Sequence, residues 1–136
     1  MMVSTKGRYA LRVIIDLAQH KDEGYVSLKS ISERQKISLK YLEMIAASLN
    51  RAGLVQSQRG KEGGYMLTKP AAEYTVGAVL RAAEGDLAPV SCLDCGENTC
   101  ERADSCITLP MWQRLDGLIN GYLDSVSIED MLKGEL

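Results

Sequence analysis

At residue 53 the hydrophobic rhythm of this chain changes. Upstream, apolar residues recur every three or four positions. From Leu54 to Thr68 they fall into two short runs on either side of the glycine-rich stretch Gly60-Lys-Glu-Gly-Gly64. The first rhythm marks amphipathic helices, each of which must bury one face. The second marks two strands joined by a polar tip, where glycines supply the backbone freedom of a tight turn. Several short helices feeding a small hairpin leave few ways to close a core.

The helical part resolves into three segments. Tyr9, Ala10, Val13, Ile14, Leu17 and Ala18 trace one face of a helix over residues 4–20, with Ser4 or Thr5 as its N-cap, and Lys21-Asp-Glu-Gly24 ends it. Ser27 precedes a short helix over 28–34 with Ile31 inward, and Ser30 and Glu33 have capping-box spacing one turn further in. Gln35-Lys-Ile-Ser38 is a turn, and Ser38 caps a third helix with Leu42, Ile45, Ala46 and Leu49 on one face. Its remaining face carries Lys40, Tyr41 and Glu43.

Beyond Pro70, Val76, Val79, Leu80 and Ala83 predict a further helix ending at Gly85. Residues 86–106 are polar and have no period, so they read as a loop that needs something other than a core to order it. Leu109, Trp112, Leu115, Leu118, Ile119, Tyr122 and Leu123 form a long apolar stripe, and 127–132 make a short last helix. The expected fold is mainly α with a small β wing. A winged helix-turn-helix over residues 1–85 is followed by a cysteine-rich sensor loop and a dimerisation helix over 86–136.

Net charge is only −2, which alone speaks against nucleic-acid binding, but the halves differ. Residues 1–70 hold 12 Lys and Arg against 6 Asp and Glu, whereas 71–136 hold 4 against 12. A basic half can face phosphate while an acidic half stays away. The first residues lack the apolar centre of a signal peptide, and no run approaches the ~20 apolar residues of a membrane span, so a soluble, cytoplasmic protein is expected.

In such an architecture the third helix enters the major groove and the hairpin tip reaches a neighbouring backbone or minor groove. The candidate DNA-binding residues are Ser38, Lys40, Tyr41 and Glu43 on the helix, with Arg59 and Lys61 at the wing. Serine and lysine reach phosphates or bases, glutamate accepts from the cytosine amino group, and arginine suits a narrow minor groove. The glycines at 60, 63 and 64 are not a phosphate-binding P-loop, because no Gly-Lys-Ser/Thr ending or helix follows them. Few aromatic residues lie in the basic half, which disfavours single-strand stacking.

All four cysteines lie between Cys92 and Cys106. A reducing cytosol disfavours structural disulfides, so metal binding or redox chemistry is the first reading. Four sulfurs suit an iron-sulfur cluster or a tetrahedral zinc site, although the spacing is not that of a zinc ribbon. Thiol switching without metal is a further reading. A thioredoxin-like site at Cys92-Leu-Asp-Cys95 lacks the preceding strand and following helix that it needs.

Lys6-Gly-Arg-Tyr-Ala-Leu-Arg12, Ile31-Ser-Glu-Arg-Gln35, Ile37-Ser38, Tyr41-Leu-Glu43, Leu49-Asn-Arg-Ala-Gly-Leu-Val55 and Arg59-Gly-Lys-Glu-Gly-Gly-Tyr65 together resemble the Rrf-type winged-helix transcription regulators of bacteria, with their IscR-, NsrR-, RirA- and CymR-like branches. The resemblance spans nearly the whole chain. It implies a non-enzymatic homodimer, paired through its long C-terminal helices, that binds pseudo-palindromic double-stranded DNA. It also implies DNA readout by Ser38, Lys40 and Glu43 and minor-groove entry by Arg59, with Lys40 standing where serine is common.

The same resemblance makes Cys92, Cys100 and Cys106 the metal ligands of a [2Fe-2S] or [4Fe-4S] cluster, with Cys95 as an additional cofactor ligand. Two positions depart from the pattern. Leu109 stands where IscR-like members have a histidine, and Arg8 where NsrR-like members have an aspartate. His20, the one histidine, is read as a solvent-facing residue at a helix end. The fourth ligand therefore stays open between Cys95, Asp94, Asp104 and a partner subunit. A CymR-like regulator of cysteine metabolism is the alternative function.

Overall fold

The computed structural model describes residues 3–90, 93 and 105–136. Serine hydroxyls start the three N-terminal helices. Ser4 accepts the Gly7 N–H at the head of α1 (Thr5–Gln19), Ser27 accepts that of Ser30 at 3.1 Å before α2 (Leu28–Gln35), and Ser38 accepts that of Tyr41 at 3.2 Å before α3 (Leu39–Arg51). Each hydroxyl satisfies one of the N–H groups that a helix start leaves without a partner. The cap of α2 is thus Ser27, one turn before the Ser30 and Glu33 spacing.

After Gly53, β1 (Val55–Gln58) pairs antiparallel with β2 (Gly64–Leu67), with Val55 opposite Leu67 and Gln58 opposite Gly64. Val26 joins the outer side of β2, exchanging two 2.8 Å backbone hydrogen bonds with Tyr65. Glycine at 64 permits this: a side chain there would strike the Val26 carbonyl, and φ is +155°. The wing is therefore tied to the segment that leads into α2.

Val13, Ile14 and Leu17 of α1 pack with Ile31 of α2, Leu42, Ile45 and Leu49 of α3, and Val79 of α4 (Val76–Glu84). Tyr74 lies wholly inside this core; its hydroxyl donates to the Leu54 carbonyl at 2.6 Å and accepts the Thr68 N–H at 2.9 Å, pinning the base of the wing. Every buried side-chain nitrogen or oxygen among the described residues has a hydrogen-bond partner.

The chain then returns to its own core. Thr75 and Ser127 form a backbone bridge, the Ile128 N–H donates to the Tyr74 carbonyl at 2.9 Å, and Ile128, at the head of α6 (Ile128–Lys133), is fully buried with the α1 to α4 residues. Between them α5 (Leu109–Ser125), described throughout, has no buried residue in the single chain. Among the described residues no helix is long and apolar enough to cross a membrane.

Candidate nucleic-acid interface and cysteine segment

Helix α1 and the turn that joins α2 to α3 set the pose of α3. Lys36 ends α2 in the left-handed conformation, φ 58°, which is unfavourable for a residue with a Cβ. Side chains from α1 hold that turn. Arg12 donates from Nε to Gln35 Oε1 at 3.1 Å and from Nη2 to the Gln35 carbonyl. Asp16, a carboxylate inside the apolar core, accepts from Arg34 at 2.7 and 3.0 Å and from Gln35 Nε2 at 3.0 Å. Burial pushes the Asp16 carboxyl up, but hydrogen bonds from Arg34 and Gln35 and the Arg34 charge outweigh it and hold the group below its ordinary value.

Projecting from this support, Ser38, Lys40 and Glu43 are exposed on α3. Tyr41 differs from the expectation that it shares the outer face. It is half-buried and meets the Tyr9 ring edge-on, with centroids 5.7 Å apart and planes at 84°, because α1 crosses the base of α3 there. Ser38, Lys40, Tyr41 and Met44 line a shallow concavity of ≈ 280 Å³. Leu39 and Met44, absent from the sequence-derived site, are exposed beside them. Met44 lies off the Leu42, Ile45 and Leu49 stripe, which was the available signal; Leu39, three residues before Leu42 at the edge of that stripe, carried none.

Arg59 and Lys61 are exposed at the wing tip. Lys61, Glu62 and Gly63 share a cleft with Ser27, Ser30 and Arg34, so the tip sits beside the start of α2. His20 caps the end of α1, partly covered, with Nδ1 2.7 Å from the Asp16 carbonyl oxygen.

Of the predicted cluster ligands, Cys106 is half-buried just before α5, with Sγ 3.3 Å from Thr108 Oγ1. Cys92, Cys95 and Cys100, and the fallback ligands Asp94 and Asp104, lie outside the described residues.

Arg81 of α4 reaches across to α5, donating to Asp124 at 2.7 and 3.0 Å and to Asn120 Oδ1 at 2.6 Å. The Arg81 hydrogen bond holds the Asp124 carboxyl below its ordinary value. Gly77 makes room: a Cβ there would collide with Asp124 Oδ1 and come within 2.9 Å of Arg81 Nη1. The opposite face of α5 carries Met111, Leu118 and Tyr122, each more than half exposed, and Leu115, just over a third exposed, at spacings of four, three and four residues.

Comparison with known proteins agrees along the whole chain. A family described as Rrf2, "Iron-dependent Transcriptional regulator", matches residues 3–134. The HTH-type transcriptional regulator IscR of Serratia proteamaculans is 40% identical over 135 residues, covering 99% of this chain and 81% of that protein. Among solved structures, T. potens IscR superposes with a TM-score of 0.78 at 40% identity, covering 100% of this chain and 89% of that one. CymR, the global cysteine regulator of B. subtilis, has a TM-score of 0.78 at 38% identity, covering 96% and 95%.

Proposed function

Because the chain belongs to the Rrf2 family of transcription regulators, whose function implies DNA binding, we propose that it acts in the cytoplasm as a homodimer that reads a pseudo-palindromic duplex and reports iron-sulfur or redox status through its cysteines. Residues 1–85 read the DNA and 86–136 sense and dimerise. Ser38, Lys40 and Glu43 address the major groove, the half-buried Tyr41 supports them, and Arg59 and Lys61 track the backbone or minor groove.

One observation carries the dimer: the uncovered row Met111, Leu115, Leu118 and Tyr122 on α5. Its 4-3-4 spacing is the seam that two helices bury against each other, and the same row on a second copy is self-complementary under a two-fold axis. Two α3 helices would then face successive turns of one duplex, about 34 Å apart.

The donor set suits a cluster, since four thiols in one short segment are the ligand type that iron-sulfur centres take. Cys92, Cys100 and Cys106 would hold it, with Cys95 as the fourth candidate, and its gain, loss or oxidation supplies the signal. The half-buried Cys106 stands just before α5, so a change at its sulfur bears directly on the dimerisation helix. A differential affinity of about 1 to 3 kcal/mol between liganded and free forms suffices to change operator occupancy roughly 5- to 150-fold.

Likeness to a global cysteine regulator favours a second reading: the same cysteines serve as thiol switches, or the segment docks a cysteine-biosynthesis enzyme, without metal. Purification without oxygen separates the two. Protein with iron and sulfide that sediments as a dimer and binds a selected duplex supports the cluster regulator. Colourless protein with four titratable thiols that no reconstitution loads leaves the thiol regulator, and a monomer indifferent to duplex DNA overturns both.

A further inference from the structure

Two large apolar side chains on α3 have no place in the core. Leu39 is 45% and Met44 47% exposed, while Leu42, Ile45 and Leu49 of the same helix are fully buried. Single exposed apolar residues are ordinary on a protein surface. The company that these two keep is not. Helix geometry stacks residues four apart, so Leu39 stands beside Glu43 and Lys40 beside Met44. Met44 also shares a concavity with Ser38, Lys40 and Tyr41. The outer face of α3 thus alternates apolar with charged groups at the spacing of side-chain rows.

A flat apolar partner would be poorly matched by a surface broken up by a cation and a carboxylate. The floor of the major groove alternates in the same way. There guanine offers acceptors that lysine can reach, cytosine offers an amino group that glutamate can accept from, and thymine offers its 5-methyl group, the groove's one apolar feature.

Resting on the placement of α3 in the major groove, we propose that Leu39 and Met44 are specificity-determining residues that read thymine 5-methyl groups next to the base pairs addressed by Lys40 and Glu43. The target half-site accordingly contains thymine beside guanine or cytosine.

The test uses the full-length protein. Duplexes are selected from a random library, and the preferred one is resynthesised with deoxyuridine at single thymines, which removes the methyl and keeps every hydrogen-bonding atom. Transfer of one buried carbon from water implies about 4-fold weaker binding per methyl, or about 15-fold with both half-sites changed. Met44→Ala should weaken binding to the thymine duplex by a similar factor and bind the uracil duplex as well as the parent does; Leu39→Ala should do the same at a different thymine. Both side chains are exposed, so melting temperatures should stay put.

Uracil without effect at every half-site thymine overturns the inference, as does an equal loss by each variant on both duplexes. In those outcomes the protein still selects a duplex. If no duplex is enriched, the DNA-reading function itself fails.

Discussion

Arg34 donates from Nη2 and Nε to the two carboxylate oxygens of Asp16, at 2.7 and 3.0 Å, so the end of α2 hangs from a charge buried in α1. Asp16 is fully buried, whereas the Arg34 side chain is about a third exposed. Burying the anion is costly, and three hydrogen bonds from Arg34 and Gln35 offset that cost while the cation keeps contact with water. Its value lies in placing the Lys36 turn and, through it, the head of α3.

Asp16→Asn should lower unfolding stability by about 2 kcal/mol, since an amide keeps the shape but gives up the charge-assisted pair. The folded carboxyl lies below its ordinary value. Its contribution is therefore complete above the unfolded value of about 3.9 and is lost as pH falls through the folded one. Urea midpoints measured from pH 7 downwards should converge for the parent and Asn proteins in acid. Parallel curves would show that this carboxylate is not a source of the pH dependence.

Tyr74→Phe removes one hydroxyl from the core and leaves the Leu54 carbonyl and Thr68 N–H without it. A loss of about 1 to 3 kcal/mol is expected. Hydrogen exchange should rise at Thr68 and along β2 before it rises in α3. Uniform change would mean that the hydroxyl does not pin the wing.

The Arg81 and Asp124 side chains are both partly exposed, at 36% and 47%, so their pairing adds at most about 1 kcal/mol to stability. Its effect should appear in geometry. Arg81→Ala, or Gly77→Ala with its obstructing methyl, should leave melting nearly unchanged while weakening binding to a two-half-site duplex more than to a single half-site. Equal loss on both duplexes would remove α5 orientation as the cause.

Leu118→Asp places a carboxylate in the middle of the exposed α5 row without touching the core. Sedimentation velocity at micromolar concentration should show monomers with unchanged helical content. A persistent dimer would move the interface away from this face.

Much of the fold is written in short-range pattern. The hydroxyls of Ser4, Ser27 and Ser38, the apolar stripes of α1 and α3, and the glycines at the wing tip act within a few residues of themselves, where capping and backbone sterics decide the outcome. They are legible from the chain alone, and with them the three-helix-and-wing order.

Tertiary structure decided what happens between segments. Tyr41 was expected to face outward, but α1 brings Tyr9 against it. The stripe assigned to α5 divides, with Leu123 turned to α4 and Leu115, Leu118 and Tyr122 left facing solvent, where Met111 joins them. Asp16 finds Arg34 across 18 positions, and Ile128 returns to a core begun at Ala10. Periodicity states that a residue seeks cover; how the helices cross determines which neighbour supplies it, and which face is left for another molecule.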